Sequence, residues 1–141
     1  VAFGEIVRGM HHWGASLVIV MMFLHTLRVF FTGSYKKPRE LNWMVGVLIF
    51  AVMLGLGFTG YLLPWDMKAL FATKVGIEIA ASVPFVGGII KTLLAGDETI
   101  IGAQTLTRFF AIHVFFLPAA LFALLAAHFI MIRRQGISGP L

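Results

Sequence analysis

The sequence predicts an all-α membrane protein: three transmembrane helices plus a surface amphipathic helical hairpin. Three observations predict it. The chain of 141 residues is 60% hydrophobic and 12% charged, against roughly half and a quarter in a soluble domain. Three apolar stretches, at about 9–32, 41–63 and 106–132, reach the ~20 residues that cross hydrocarbon. Four of the histidines fall in two matched pairs on the first and last of these stretches. The length suits a single domain, residues 1–141.

Residues 1–8 read as a short mixed lead-in, and Val1 is not an initiator methionine, so the sequence is expected to start inside a longer protein. The first apolar run then begins almost at its first histidine, with Trp13 suited to an interface. GSYKKPRE at 33–40 carries turn signals and charge, and so short a connection makes the second helix antiparallel to the first. The second run has no histidine but several glycines, and it stops at Pro64-Trp65-Asp66. Residues 66–104 scatter charges among apolar residues at helical spacing, for instance Leu70, Val75 and Ile79, then Ile89, Ile90 and Leu93. Pro84, Gly87 and Gly88 break the middle, which predicts two short helices lying on the membrane surface. The last run contains Pro118, which either kinks the helix or is absorbed by its neighbours, and ends at Arg133-Arg134.

His11 and His25 are 14 residues apart; His113 and His128 are 15 apart. At about 1.5 Å and 100° per residue each pair spans ~21–23 Å, and returns to within ~40° and ~60° of its start. A single histidine on an apolar face is usually a hydrogen-bonded core residue. Four of them on two spanning helices are another matter, because ionisable groups are expensive in hydrocarbon and functional by default. Two such helices side by side hold two stacked haems, each between a facing histidine pair. A structural zinc wants four close ligands, and each level here offers two. His12 points about 100° away from His11 and is left out of the ligand set. Gly46 and Gly60, also 14 apart, are either helix-packing positions or room for a flat macrocycle. Arg28 and Arg39 near one end, and Arg8 and Arg108 near the other, are either ordinary charged flanks or partners for haem propionates.

Charge gives the bundle a direction. One side carries Arg28, Lys36, Lys37, Arg39, Arg133 and Arg134 against Glu40 alone, while the other is balanced, so the first side is predicted to be cytoplasmic. The 33–40 loop and the C-terminus then lie inside, and the 66–104 segment outside. Three spans alternate in direction, so the first and third run parallel. His11 is expected to pair with His113 near the outer surface, and His25 with His128 near the inner one. The basic residues form no run interleaved with polar ones, so nucleic acid is not an expected partner. The absence of cysteine excludes disulfides, thiolate-held iron–sulfur clusters and thioether-linked haem within these residues.

HHWGAS (11–16), FLHTLRVFFTGSYKKPRELNW (23–43), GFTGYLLPWD (57–66), QTLTRFFAIHVFFLP (104–118) and HFIMIRRQGISGPL (128–141) resemble cytochrome b of the quinol-oxidising bc and b6f complexes. The 15-residue separation resembles the b6 branch, and the chain is similar to the b6-like subunit of Gram-positive menaquinol:cytochrome c reductases. The resemblance implies a four-helix bundle whose first spanning helix is missing here. It implies two non-covalent b-type haems, the outer, low-potential one on His11 and His113 and the inner, higher-potential one on His25 and His128. Gly46 and Gly60 match the family's haem-packing glycines. A third haem beside the inner site is undecided, since the cysteine that tethers it would lie in the missing helix. The sequence departs from plant-type b6 at His12, where arginine is common, and at Met67, in PWDM rather than PWDQ.

The function implied is transmembrane electron transfer in a Q cycle. Quinol, menaquinol in this branch, is oxidised at the outer face, partly walled by residues 66–84, and quinone is reduced near the cytoplasmic face. Implied partners are a Rieske iron–sulfur protein, the separate C-terminal half of cytochrome b (a subunit IV equivalent), a c-type cytochrome or plastocyanin-type acceptor, and membrane lipid. The implied assembly is a dimeric complex in the bacterial plasma membrane. Two alternatives stand beside this reading: a dihaem b anchor of a dehydrogenase or hydrogenase, and a non-redox, histidine-lined membrane transporter.

Overall fold

The computed structural model describes residues 2–96 and 101–138. Asp97 and Glu98, counted above among the outer charges, lie outside them, as do the last three residues. The elements are α1 (Gly4–Phe31), α2 (Glu40–Leu62), α3 (Met67–Ala81), α4 (Gly87–Ala95), α5 (Ala103–Ala111), a π-helical turn (Ile112–Phe116) and α6 (Leu117–Gln135). No strand occurs among the described residues. Three helices are long and apolar enough to cross a membrane: α1, α2, and the continuous helix Ala103–Gln135. The 66–104 segment supplies α3 and α4, the expected hairpin.

The first span starts earlier than the sequence predicts. α1 already runs from Gly4, with the Val7 N–H donating to the Phe3 carbonyl. Glu5 in its first turn is the sign of charge that the helix N-terminus favours, so the polar lead-in extends the helix.

The chain divides into two compact units, residues 1–54 with 120–141, and residues 55–119. The first holds α1, most of α2 and most of α6. Among the described residues its only buried apolar residue is Ile49, and α1 has none. The hydroxyls of Ser16, Thr26 and Thr32 each donate to the carbonyl four residues back, which satisfies them without a partner helix. The connection between α1 and α2 turns at Gly33, whose φ of +66° suits a residue without Cβ. Tyr35 stacks on Phe30 there at 5.8 Å. Arg39 donates from Nε to the Gly136 carbonyl at 3.3 Å and from Nη2 to the Ile137 carbonyl at 3.0 Å. Ser34 donates to Ser138 at 3.0 Å. The end of α1 and the end of α6 therefore lie together, as parallel first and third spans require.

The second unit has a core of its own: Leu62, Ala69, Ile77, Ala95 and Phe109, with Phe58, Leu63, Leu70, Leu94 and Ile101 packed against it. Pro64 ends α2, and Asp66 starts α3 by accepting from the Ala69 N–H at 2.8 Å. α3 buries Ala69, Thr73 and Ile77, one face at four-residue steps, and leaves Phe71, Val75 and Ile79 exposed. Gly76 lets the Phe58 ring lie directly on α3, and Phe58 in turn meets Phe109 at 5.6 Å between ring centres. The hairpin closes tightly, since a Cβ on Gly87 would run into the Ala81 carbonyl. Lys91 and Glu78 pair across it at 2.8 Å, both exposed, so the pair adds little stability.

Candidate haem-ligand sites

Each unit brings one histidine of the last span against a glycine of α2. In the first unit the half-buried ring of His128 lies on α2, its Cε1 3.5 Å from where a Cβ would stand on Gly46. It meets the backbone of Asn42 one turn earlier and lies within electrostatic range of His25. Its Nδ1 is buried and has no hydrogen-bond partner. His11 and His25 both stand on α1 with exposed side chains. His12 is also exposed, its ring edge-on to Trp13 at 5.6 Å.

In the second unit the ring of His113 presses on Gly60: a Cβ there would stand 2.6 Å from Cε1. Real Cβ atoms do not come so close, so only glycine leaves room for the ring at this depth. His113 Nδ1 is 3.0 Å from the Leu56 carbonyl oxygen and 3.2 Å from Thr59 Oγ1. The Thr59 hydroxyl sends its own proton to the Gly55 carbonyl at 2.8 Å. Toward His113 it therefore accepts, as the Leu56 carbonyl must. Both partners require the proton to sit on Nδ1, which leaves Nε2 with a lone pair. A backbone carbonyl holding the distal N–H is the usual support of a ligating histidine.

These features fit a b-type haem. The donor set is imidazole, one ring is held in the ligating tautomer, another lies against the Asn42 backbone four residues before its glycine, and each ring rests on a glycine of α2. The Gly46–His128 and Gly60–His113 contacts show the α2 glycines as small surfaces under imidazole rings, beyond plain helix packing.

The arginines divide. Arg108 donates from Nη1 to the Thr92 and Leu93 carbonyls at 2.6 and 2.9 Å, capping the C-terminal end of α4. Arg39 holds the C-terminal tail, as described above. Arg8 and Arg28 are exposed on α1, one turn from His11 and His25 respectively.

The Thr59 and Leu56 partners escaped the sequence reading, because a hydroxyl and a carbonyl beside Gly60 look like ordinary helix. The π turn that carries His113 escaped it as well. Leu117 N–H donates to the Ile112 carbonyl, five residues back rather than four. Pro118 was the signal for it: its ring crowds the carbonyl four residues earlier, and a wider preceding turn relieves the clash.

The family model described as "Cytochrome b(N-terminal)/b6/petB" matches residues 16–141. Proteins named "Menaquinol:cytochrome c reductase cytochrome b subunit" from Geobacillus thermodenitrificans and Bacillus subtilis (strain 168) are each 84% identical over all of this chain. The chain spans 63% of the length of each. "Cytochrome b6" of Heliobacterium mobile is 49% identical over the whole chain, which covers 66% of it. A solved structure titled "Hyperthermophilic respiratory Complex III" matches with a TM-score of 0.88 and 33% identity, over 99% of this chain and 38% of that one. With α2 glycines set under the histidines of the last span, in three membrane-length helices, this chain belongs to the cytochrome b(N-terminal)/b6 family.

Proposed function

We propose that the chain is the haem-bearing N-terminal half of the cytochrome b of a menaquinol:cytochrome c reductase, forming one domain over residues 1–141. It holds two non-covalent b haems, one between His11 and His113 and one between His25 and His128. The observation that carries this reading is the His113 ring, seated on Gly60 with its Nδ1 proton fixed by Leu56 and Thr59. Such an imidazole can offer Nε2 and nothing else. Held by two imidazoles, a b haem would supply one-electron transfer and no open site for a further ligand.

The chain's own residues then have distinct tasks. Leu56 and Thr59 hold the His113 ring and its proton, while Gly60 and Gly46 keep α2 close beneath the rings. Arg8 and Arg28 supply positive charge one turn from the α1 histidines, toward propionates. A guanidinium has five N–H donors, so Arg39 and Arg108 have donors for the same role besides those that bind carbonyls. The positively charged loop at 33–40 and the C-terminus lie on the cytoplasmic side, and α3 and α4 lie outside. There the exposed Phe71, Val75 and Ile79 face lipid or a partner subunit. The Rieske protein, the C-terminal half and a c-type cytochrome complete the dimeric complex. Menaquinol is oxidised beside 66–84 and quinone is reduced inside, in a Q cycle.

The test is a redox titration of the purified complex, followed by reduced-minus-oxidised spectra. Two low-spin b-type signals are expected. Replacing His128 with a non-ligating residue removes the higher-potential signal and leaves the lower. A colourless complex defeats the haem reading, and loss of the lower-potential signal alone reverses the pairing.

A further inference from the structure

The two histidine pairs are not matched in sequence, and the π turn is what matches them. From His11 to His25 is 14 steps along an uninterrupted α-helix. At about 100° per step that stops ~40° short of four full turns. From His113 to His128 is 15 steps. In a regular α-helix these would overrun four turns by ~60°, on the opposite side, leaving the last histidine about 100° away from where the α1 spacing would place it. The stretch is not regular. Its first turn closes from Leu117 N–H to the Ile112 carbonyl, and residues 112–116 are π-helical. A turn that closes on the fifth residue takes in one residue more than a turn that closes on the fourth. Fifteen residues then do the work of 14 helical steps. The offset returns to ~40° short, and the rise to about 21 Å, as on α1.

The geometry points to a register device: the π turn at Ile112–Phe116, placed by Pro118, absorbs one residue so that both histidine pairs share one angular offset and one rise. The inference rests on the haem-ligand reading above. His113 lies inside the turn, and its ring is caught by Thr59 and Leu56. The widened turn thus serves both ligands of this span, delivering one and bringing the other into phase.

Two single-residue deletions in the subunit of the intact complex separate this device from a mere proline distortion. Deleting Phe115, whose side chain is exposed, shortens the spacing to 14 and lets a plain α-helix supply the register. Deleting Ala123, in the regular part of α6, gives the same spacing but keeps the π turn, and rotates His128 by about 100°. Haem content per chain and potentiometric spectra are the readouts. The expected result is two haems in wild type and in the Phe115 deletion, and one in the Ala123 deletion. Equal loss in both deletions, or two haems in both, overturns the proposal. A wild-type complex without haem would instead sink the ligand reading beneath it. If either deletion prevents accumulation, an experimental map of the wild-type complex decides. The Leu117-to-Ile112 bond with four ligating histidines supports the device, and a regular α-helix through 112–116 overturns it.

Discussion

The two compact units stabilise themselves by different means. The second, residues 55–119, is held by a side-chain core of its own. It has an aromatic and aliphatic core around Phe109 and Leu62, an N-cap at Asp66, and side-chain caps on the end of α4 from Thr105 and Arg108. The first, residues 1–54 with 120–141, has almost none of this. α1 buries no residue, and three of the four buried polar atoms without partners among the described residues, Asn42 Oδ1, His128 Nδ1 and Gln135 Oε1, lie here, the fourth being Thr73 Oγ1 of the second unit. One unit carries its cohesion in its own side chains. The other presents apolar helices and unspent polar atoms, the surface of a protein completed by lipid, cofactor and neighbours.

That contrast can be broken by substitution. Phe109→Ala should cost the second unit about 3–5 kcal/mol, the range for emptying an aromatic core site. Leu17→Ala on exposed α1 should stay within about 0.5 kcal/mol. Hydrogen exchange of the purified complex, read separately in α3 and α1, measures both, and equal effects would erase the distinction. Gly60→Ala comes next. Its Cβ would meet the His113 ring at 2.6 Å, so about 1–3 kcal/mol of overpacking should fall on that ligand and deplete one haem. Gly46→Ala, at an ordinary 3.5 Å from His128, should spare the other. Haem stoichiometry decides, and a stronger effect at Gly46 would contradict the geometry.

Smaller effects sharpen the picture. Asp66→Ala should lower the stability of the second unit by about 1 kcal/mol through loss of the α3 cap, with both haem spectra unchanged. Thr59→Val keeps the shape but removes one acceptor from His113 Nδ1. An interaction worth about 1 kcal/mol corresponds to roughly 40 mV in a one-electron potential. A shift of that order is expected only in the haem proposed at His113. An unmoved potential would leave the Leu56 carbonyl as the sole effective partner.

Much of this was legible in the sequence because hydrocarbon imposes simple rules. Span length, the charged loop at 33–40 and the rarity of histidine among apolar residues gave three helices and four candidate ligands. The hairpin followed from Pro84 and the surrounding helical spacing. What stayed hidden depends on single atoms. No composition marks Thr59 as the partner of a histidine 54 residues away. The π turn leaves only Pro118 and an odd count of residues as its trace. The early start of α1 was missed because the mixed residues 1–8 were read as a lead-in, where Glu5 favours helix.

Arg39 ties the fold to its own making. Before the last span is in place, this side chain is a cation in a short loop between two spans, the kind of charge that biases which way helices insert. Once Gly136 and Ile137 arrive, the same guanidinium donates to their carbonyls. Its charge is unchanged throughout, and only its donors change partners. One residue thus joins a charge of that kind to a fastener that closes only when the end of the final helix lies beside the loop.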